Sequence, residues 1–198
     1  MIPSTELRRR EVLLSLASLA VTPVLAGAAN AALPGDSIYR LDAQLQDQDG
    51  RPLALSALQG TPVLASMFYS SCDMVCPMIF ETVHATLRAL PAAQRSAVRV
   101  LMVSFDPERD TVAVLKKTAQ ARNCDGQWVL ARADEGTARK VAAVLGIQYR
   151  RLADGEFNHS TVINVLDQSG RITAKTGKLG SVDAKVTEAI RKMGAHSG

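Results

Sequence analysis

Past its first 31 residues the chain has no basic run and no patch in which basic and aromatic side chains interleave, which excludes a nucleic-acid-binding role. It has no internal repeat and no low-complexity tract. Proline is missing from the whole stretch after Pro107, and histidine occurs only three times, as His84, His159 and His196. Cysteine is also scarce, with Cys72, Cys76 and Cys124 the only thiols. An odd count in an exported chain argues against a purely structural disulfide framework, so at least one thiol has another fate. With 198 residues and 47% apolar content, one globular domain can build a core without covalent staples.

Export is expected from the N-terminus. Arg8-Arg9-Arg10 precedes an apolar segment, Val12 to Ala28, broken by Ser15, Ser18, Thr22, Pro23 and Gly27. This is the pattern of a secretory signal, and the consecutive arginines suggest twin-arginine export of a folded protein. Cleavage after Ala29-Asn30-Ala31 would leave residues 32–198 as the mature domain in the periplasm. It would also remove three arginines and two glutamates, lowering the formal charge from +4 to +3. The alternative is an uncleaved inner-membrane anchor, for which the run is short and interrupted.

What the chain does have is concentrated in Tyr69-Ser70-Ser71-Cys72-Asp73-Met74-Val75-Cys76-Pro77. The preceding run, Val63 to Tyr69, is apolar except for Ser66 and is bounded by Pro62 and Ser70-Ser71, as a buried strand would be. After Pro77, residues Met78, Ile79, Val83, Leu87 and Leu90 fall on one helical face, and Pro77 suits a first helical position. The cysteines therefore occupy a strand-to-helix loop. Cys76 is expected at a helix N-terminus, where unpaired amides lower a thiol pKa and favour the thiolate. With three residues between them, Cys72 and Cys76 could close a small disulfide, attack another disulfide, or share a metal ion.

In chain order, Tyr39, Leu41, Ala43 and Leu45 alternate with polar residues, Asp49-Gly50 turns, and Leu53 and Leu55 resume the alternation, which reads as a β-hairpin. Ser56 to Gly60 is a turn into the core strand, and Pro91 ends the cysteine helix. Val98 to Phe105 predicts a second core strand, broken by Asp106-Pro107 and followed by a helix with Val112, Leu115 and Ala119 inward. Asp106 to Asp110 is read as turn and helix-capping chemistry. Trp128 to Leu130 is a short strand. Asp134 caps a helix with Ala138, Val141, Ala142 and Leu145 inward, stopped by Gly146. Ile147 to Leu152 is a further strand, Thr161 to Leu166 and Arg171 to Lys175 form a hairpin, and Ser181 opens a last helix with Val182, Val186, Ile190 and Met193 inward.

This order predicts an α/β protein of thioredoxin-like fold: a central mixed sheet flanked by helices, with an N-terminal β-hairpin. Fold alone does not fix function. His84, eight residues past Cys76 in one helix, lies roughly 12 Å along the axis and cannot share its metal. His196 is in the tail. His159 stands in a loop ahead of the strand Thr161 to Leu166, about where thioredoxin-like oxidoreductases carry a cis-proline facing their cysteines. It suits a third ligand. Two thiolates and an imidazole match copper in either oxidation state, with Zn²⁺ the chemical competitor. Met74 and Met78 bracket Cys76 and could offer a thioether to Cu(I), but both fit packing roles, and Cys124 reads as a partly exposed free thiol.

The C-x-x-x-C-P loop at Cys72, Cys76 and Pro77, the string Val103 to Thr111, and His159-Ser160 ahead of a strand occur here in one order. On these motifs the chain resembles, over roughly Asp36 to Met193, the Sco/SenC family of thioredoxin-like copper proteins. Those proteins assist assembly of the dinuclear copper centre of cytochrome c oxidase. The resemblance implies Cys72, Cys76 and His159 as ligands of Cu(I) or Cu(II), a periplasmic metallochaperone role, and an oxidase subunit as partner. Many members carry proline where this chain has Asp73, and aspartate where it has Asn158; the second departure leaves a carboxylate beside the histidine in doubt. An enzymatic alternative is a thiol-disulfide reductase using Cys72 and Cys76 on the cysteines of a copper-receiving partner, and a thiol peroxidase is a weaker third.

Overall fold

The computed structural model of the protein describes residues 33–194. The expected signal segment, its cleavage point and His196 lie outside the described residues. Among the described residues nine strands and five α-helices follow one another, with β1 (Gln44–Asp47), β2 (Pro52–Ala54) and β3 (Val63–Phe68) leading into α1 (Val75–Arg88) and α2 (Ala92–Ala97). Then come β4 (Arg99–Ser104), α3 (Val112–Ala121), β5 (Trp128–Arg132), α4 (Glu135–Leu145), β6 (Tyr149–Arg151), β7 (Phe157–His159), β8 (Ile163–Leu166), β9 (Ile172–Thr176) and α5 (Ala184–Gly194).

The main sheet has the order β2-β1-β5-β4-β3-β8-β9. Its centre is parallel, β5-β4-β3, because helical crossovers join those strands. The flanks are antiparallel, with β8 on β3, β9 on β8, and β1 on β5. This is the expected thioredoxin-like mixed sheet. β3 is buried at all six residues, which explains its continuous apolar run. Its one polar residue, Ser66, donates to the Val162 carbonyl at 2.7 Å, so the buried hydroxyl is satisfied and the segment before β8 is tied to the strand that precedes the cysteines. Across the sheet Phe80 stacks on Trp128 at 5.8 Å and meets Phe68 edge to face at 5.3 Å.

Several expectations shift. Ile38–Arg40 is a 3-10 turn rather than the start of a strand, and Leu55–Leu58 is another. The first holds Tyr39 against the β8–β9 connection: Ile38 N–H donates to the Gly170 carbonyl at 3.0 Å. Gly170 has φ of +83°, and a Cβ there would lie 2.5 Å from Tyr39 Cδ2. Gly170→Ala should therefore destabilise the protein by about 2 kcal/mol in a urea melt, through left-handed strain and the displaced ring. α2 was not expected, having no buried residue and hence no apolar period. Met78 and Val182, expected inward, are exposed. The last helix starts after Asp183, whose carboxylate accepts from Lys185 N–H at 3.0 Å, not at Ser181. His159 is the last residue of β7, paired with Tyr149 of β6, rather than part of a loop.

Candidate metal centre

β3 delivers the chain to a bend at residues 69–74, and α1 begins at Val75, two residues before Pro77. Pro77 is thus the third helical residue, still within the turn whose N–H groups have no intrahelical acceptor, so its missing donor costs nothing. Met74 is the N-cap but its side chain makes no cap. The Cys72 sulfur does that instead, accepting the Cys76 N–H at 3.4 Å. Cys76 is carried on the inner face of α1 with Ile79, Phe80 and Val83, and only 2% of it is exposed, against 7% for Cys72. Both are free thiols, as is half-buried Cys124.

The third donor comes from β7. The hairpin with β6 closes at Gly155, whose φ is +85°, and its open end is bracketed by Ser160, whose N–H donates to the Gln148 carbonyl while its hydroxyl accepts from Gln148 N–H. His159 Nε2 lies 4.0 Å from Cys76 Sγ. Its Nδ1 lies 3.2 Å from the Ser160 carbonyl. A carbonyl can only accept, so Nδ1 carries the proton in this arrangement and Nε2 turns a lone pair to the thiols. Tyr69 meets the imidazole edge to face at 5.9 Å and Phe105 lies 5.1 Å from it, an apolar wall that holds the ring. The carbonyl takes the orienting role that a neighbouring carboxylate would have had; Asn158 is exposed and pairs with Arg150.

The donor atoms of Cys72, Cys76 and His159 all lie within 4.8 Å of one another. Three donors around one ion, at about 2.3 Å for sulfur and about 2.0 Å for nitrogen, lie about 4.0 Å apart between sulfurs and about 3.7 Å between sulfur and nitrogen. Cys76 Sγ and His159 Nε2, at 4.0 Å, already stand close to this, and no pair has to close by more than about 1 Å. Cys72 and His159 border a cleft of about 460 Å³ lined also by Tyr69, Met74, Glu156 and Phe157. His84 is elsewhere, half-buried against Trp128 with Nε2 2.8 Å from the Arg122 carbonyl.

The electrostatics reverse one expectation. Burial pushes the Cys76 thiol well above its ordinary range, and charge on Cys72 and Asp110 adds to this, outweighing the Tyr69 amide. The helix N-terminus does not win because the sulfur is shut away from water. Cys72 is the thiol held below its ordinary value: burial raises it, but the Cys76 and Met74 amides and the Tyr69 hydroxyl together more than offset that. Cys124 is pushed up to about 12, by burial first and Asp125 second. Alkylation of the metal-free protein with iodoacetamide at pH 8 should therefore modify Cys72 first, at least about tenfold faster than Cys76 or Cys124, as peptide mass mapping would show.

The string after β4 holds the cysteine bend, a role the sequence did not reveal. The carboxylate of Asp110, fully buried, accepts from Ser70 N–H at 3.1 Å, from the Ser70 hydroxyl, and from the Ser104 hydroxyl at 2.5 Å. Asp106, also buried, pairs with Arg109, and Arg109 donates to the Gly155 carbonyl at 2.7 Å. The helix capping expected of Asp-Pro and the following Asp-Thr is found at Thr111, which accepts from Val114 N–H at 3.3 Å. One carboxylate thus fixes the cysteine bend, and one ion pair fixes the histidine hairpin to the same loop. Glu156 completes the link, accepting from the Tyr69 hydroxyl at 2.8 Å.

The family model described as SCO1/SenC matches residues 34–194, and the chain belongs to that family. It is 37% identical over 75 residues to the SCO1 protein homolog of Bacillus subtilis (strain 168), a match covering 37% of this chain and 38% of that one. A Stutzerimonas stutzeri protein whose name describes copper binding is 28% identical over 114 residues, 54% of this chain and 56% of that protein. The aligned parts thus span from about a third to just over half of these relatives. Among solved structures, Bradyrhizobium japonicum ScoI with copper bound superposes with a TM-score of 0.65 at 25% identity, covering 76% of this chain and 96% of that one.

Proposed function

We propose that this protein is a periplasmic copper metallochaperone that takes copper at Cys72, Cys76 and His159 and delivers it to the oxidase subunit carrying the dinuclear copper centre. The observation that carries the reading is the convergence of two thiols and one correctly turned imidazole from separate parts of the chain on a single ion-sized space. The relative from Bradyrhizobium japonicum, whose structure has copper bound, supports copper as the ion. A soft sulfur pair with one nitrogen binds Cu(I) through the thiolates and Cu(II) with the imidazole added, so the site can hold either state while exchanging ligands. Each thiol that binds releases its proton to solvent. Two structural ties, Asp110 to Ser70 and Arg109 to Gly155, keep the donors in place, so little ordering is needed when the ion arrives.

The delivery step is tested by mixing copper-loaded protein with the copper-free soluble domain of that oxidase subunit. Copper-centre absorption should grow in the acceptor while the donor loses one equivalent. No transfer would remove delivery from the account while leaving binding in place.

A second reading is favoured by the unequal thiols. Cys72, the more exposed and lower in pKa, has the character of an attacking thiolate, and buried Cys76 that of the resolving thiol. The protein would then reduce the acceptor's cysteines before metallation. Turnover on a disulfide-bonded acceptor peptide supports this reading, and absence of any exchange leaves the metal role alone.

A further inference from the structure

The site has an access problem that its three donors do not solve. Cys72 and Cys76 are 7% and 2% exposed, and His159 turns Nε2 inward toward Cys76. Copper transfer by ligand exchange needs a stage at which donor and recipient ligands hold the ion together. A carrier that still grips Cu(I) finds only the 7% of Cys72 that is exposed and almost nothing of Cys76. Entry is widened if the recipient also offers a soft ligand that reaches into solvent.

One residue in the cleft does. Met74 is 77% exposed, lies two residues from each cysteine, and borders the same cleft as Cys72 and His159. It is the N-cap of α1, so its backbone is fixed at the rim while its unbranched side chain reaches into solvent. An exposed methionine alone carries no meaning; its place in this cleft does. Among the described residues the other sulfur side chains do not offer this. Met67, Met102 and Met193 are in the core, and Cys124 is outside the donor cluster. Met78 is 44% exposed but does not border the cleft, and its terminal methyl lies near Gly180.

We infer that Met74 is a capture ligand for Cu(I): its thioether takes the ion from an incoming carrier at the rim and passes it inward to Cys72. The inference rests on the proposed copper role. In the transfer one carrier–copper bond breaks as the copper–Sδ bond forms; the Cys72 sulfur then displaces the thioether and the Cys76 sulfur displaces the remaining carrier ligand, each thiol giving up its proton to water. Copper remains Cu(I) throughout. A thioether has no proton to lose and ligates Cu(I) far better than the harder Cu(II) or Zn²⁺, so the step also selects for the soft ion.

The test is the rate at which full-length, reduced protein removes Cu(I) from its bicinchoninate complex, followed by loss of that complex's colour under anaerobic conditions. Met74→Leu keeps size and apolarity and removes only the sulfur. It should slow loading about tenfold while shifting equilibrium Cu(I) affinity less than about twofold, and Met78→Leu should load like wild type. Wild-type loading by Met74→Leu, or equal slowing by both variants, overturns the assignment to Met74 with the copper site intact. If wild type itself removes no Cu(I), the copper reading fails together with this one.

Discussion

His159→Ala is expected to abolish the thiolate-to-copper absorption bands of the Cu(II)-loaded protein and to weaken Cu(II) binding by at least about tenfold. The imidazole is the only nitrogen in the donor cluster. It is presented ready-made, with its proton placed on Nδ1 by the Ser160 carbonyl and its ring held by Tyr69 and Phe105. Disturbing partners that merely orient a ligand costs about 10 to 100-fold in metal affinity, so deletion of the ligand itself sets that as a floor. Cu(I) binding should survive through the two sulfurs. Disulfide exchange should change far less, because attack and resolution need only the thiols and the helix terminus. Spectra and a competition titration read both effects, and unchanged Cu(II) spectra and affinity would remove His159 from the site.

The second large effect is on stability. Asp110→Ala should cost roughly 3 to 4 kcal/mol, because it leaves Ser70 N–H and the Ser70 and Ser104 hydroxyls short of an acceptor in a buried place, each worth about 1 to 3 kcal/mol. The cysteine bend should loosen with it, so copper affinity falls in the part that still folds. Asp110 also gives stability a pH slope of defined sign. Burial raises its carboxyl above the ordinary value despite the Ser104 and Ser70 bonds, so the folded state holds this proton more tightly than the unfolded state. Its contribution is therefore fullest below the ordinary carboxylate pKa and is lost as pH rises through the raised folded value. Asp110→Asn should remove that slope from urea midpoints measured across this range.

The candidate donors were legible because they sit at boundaries that simple patterns mark. Cys72 and Cys76 lie between an unbroken apolar run and a helical period, and His159 precedes a strand from which proline is missing. The structure brings these three together, and no cis peptide occurs among the described residues. Less legible was anything set by distant contact. Asp110 is 40 residues from Ser70, and no local pattern announces that pairing; Asp-Pro with a following Asp-Thr reads as capping. β7 is three residues long with one residue exposed, too short for a period. The lowered pKa expected of Cys76 was misjudged for a related reason. A helix N-terminus is visible in sequence, whereas the burial that overrides it at Cys76 comes from packing against the sheet. Met78 and Val182 satisfied the helical period and still face solvent, since a periodic face extends past the surface that covers it.

The central claim is that the three donors form one copper site, and equilibrium copper binding tests it most directly. Purified, fully reduced protein is dialysed against copper and the retained metal is measured beside Cys72→Ala and Cys76→Ala. Wild type should keep close to one copper per chain, and each cysteine variant should lose most of it. Failure of wild type to retain near-stoichiometric copper, or retention by Cys72→Ala equal to wild type, would contradict the account.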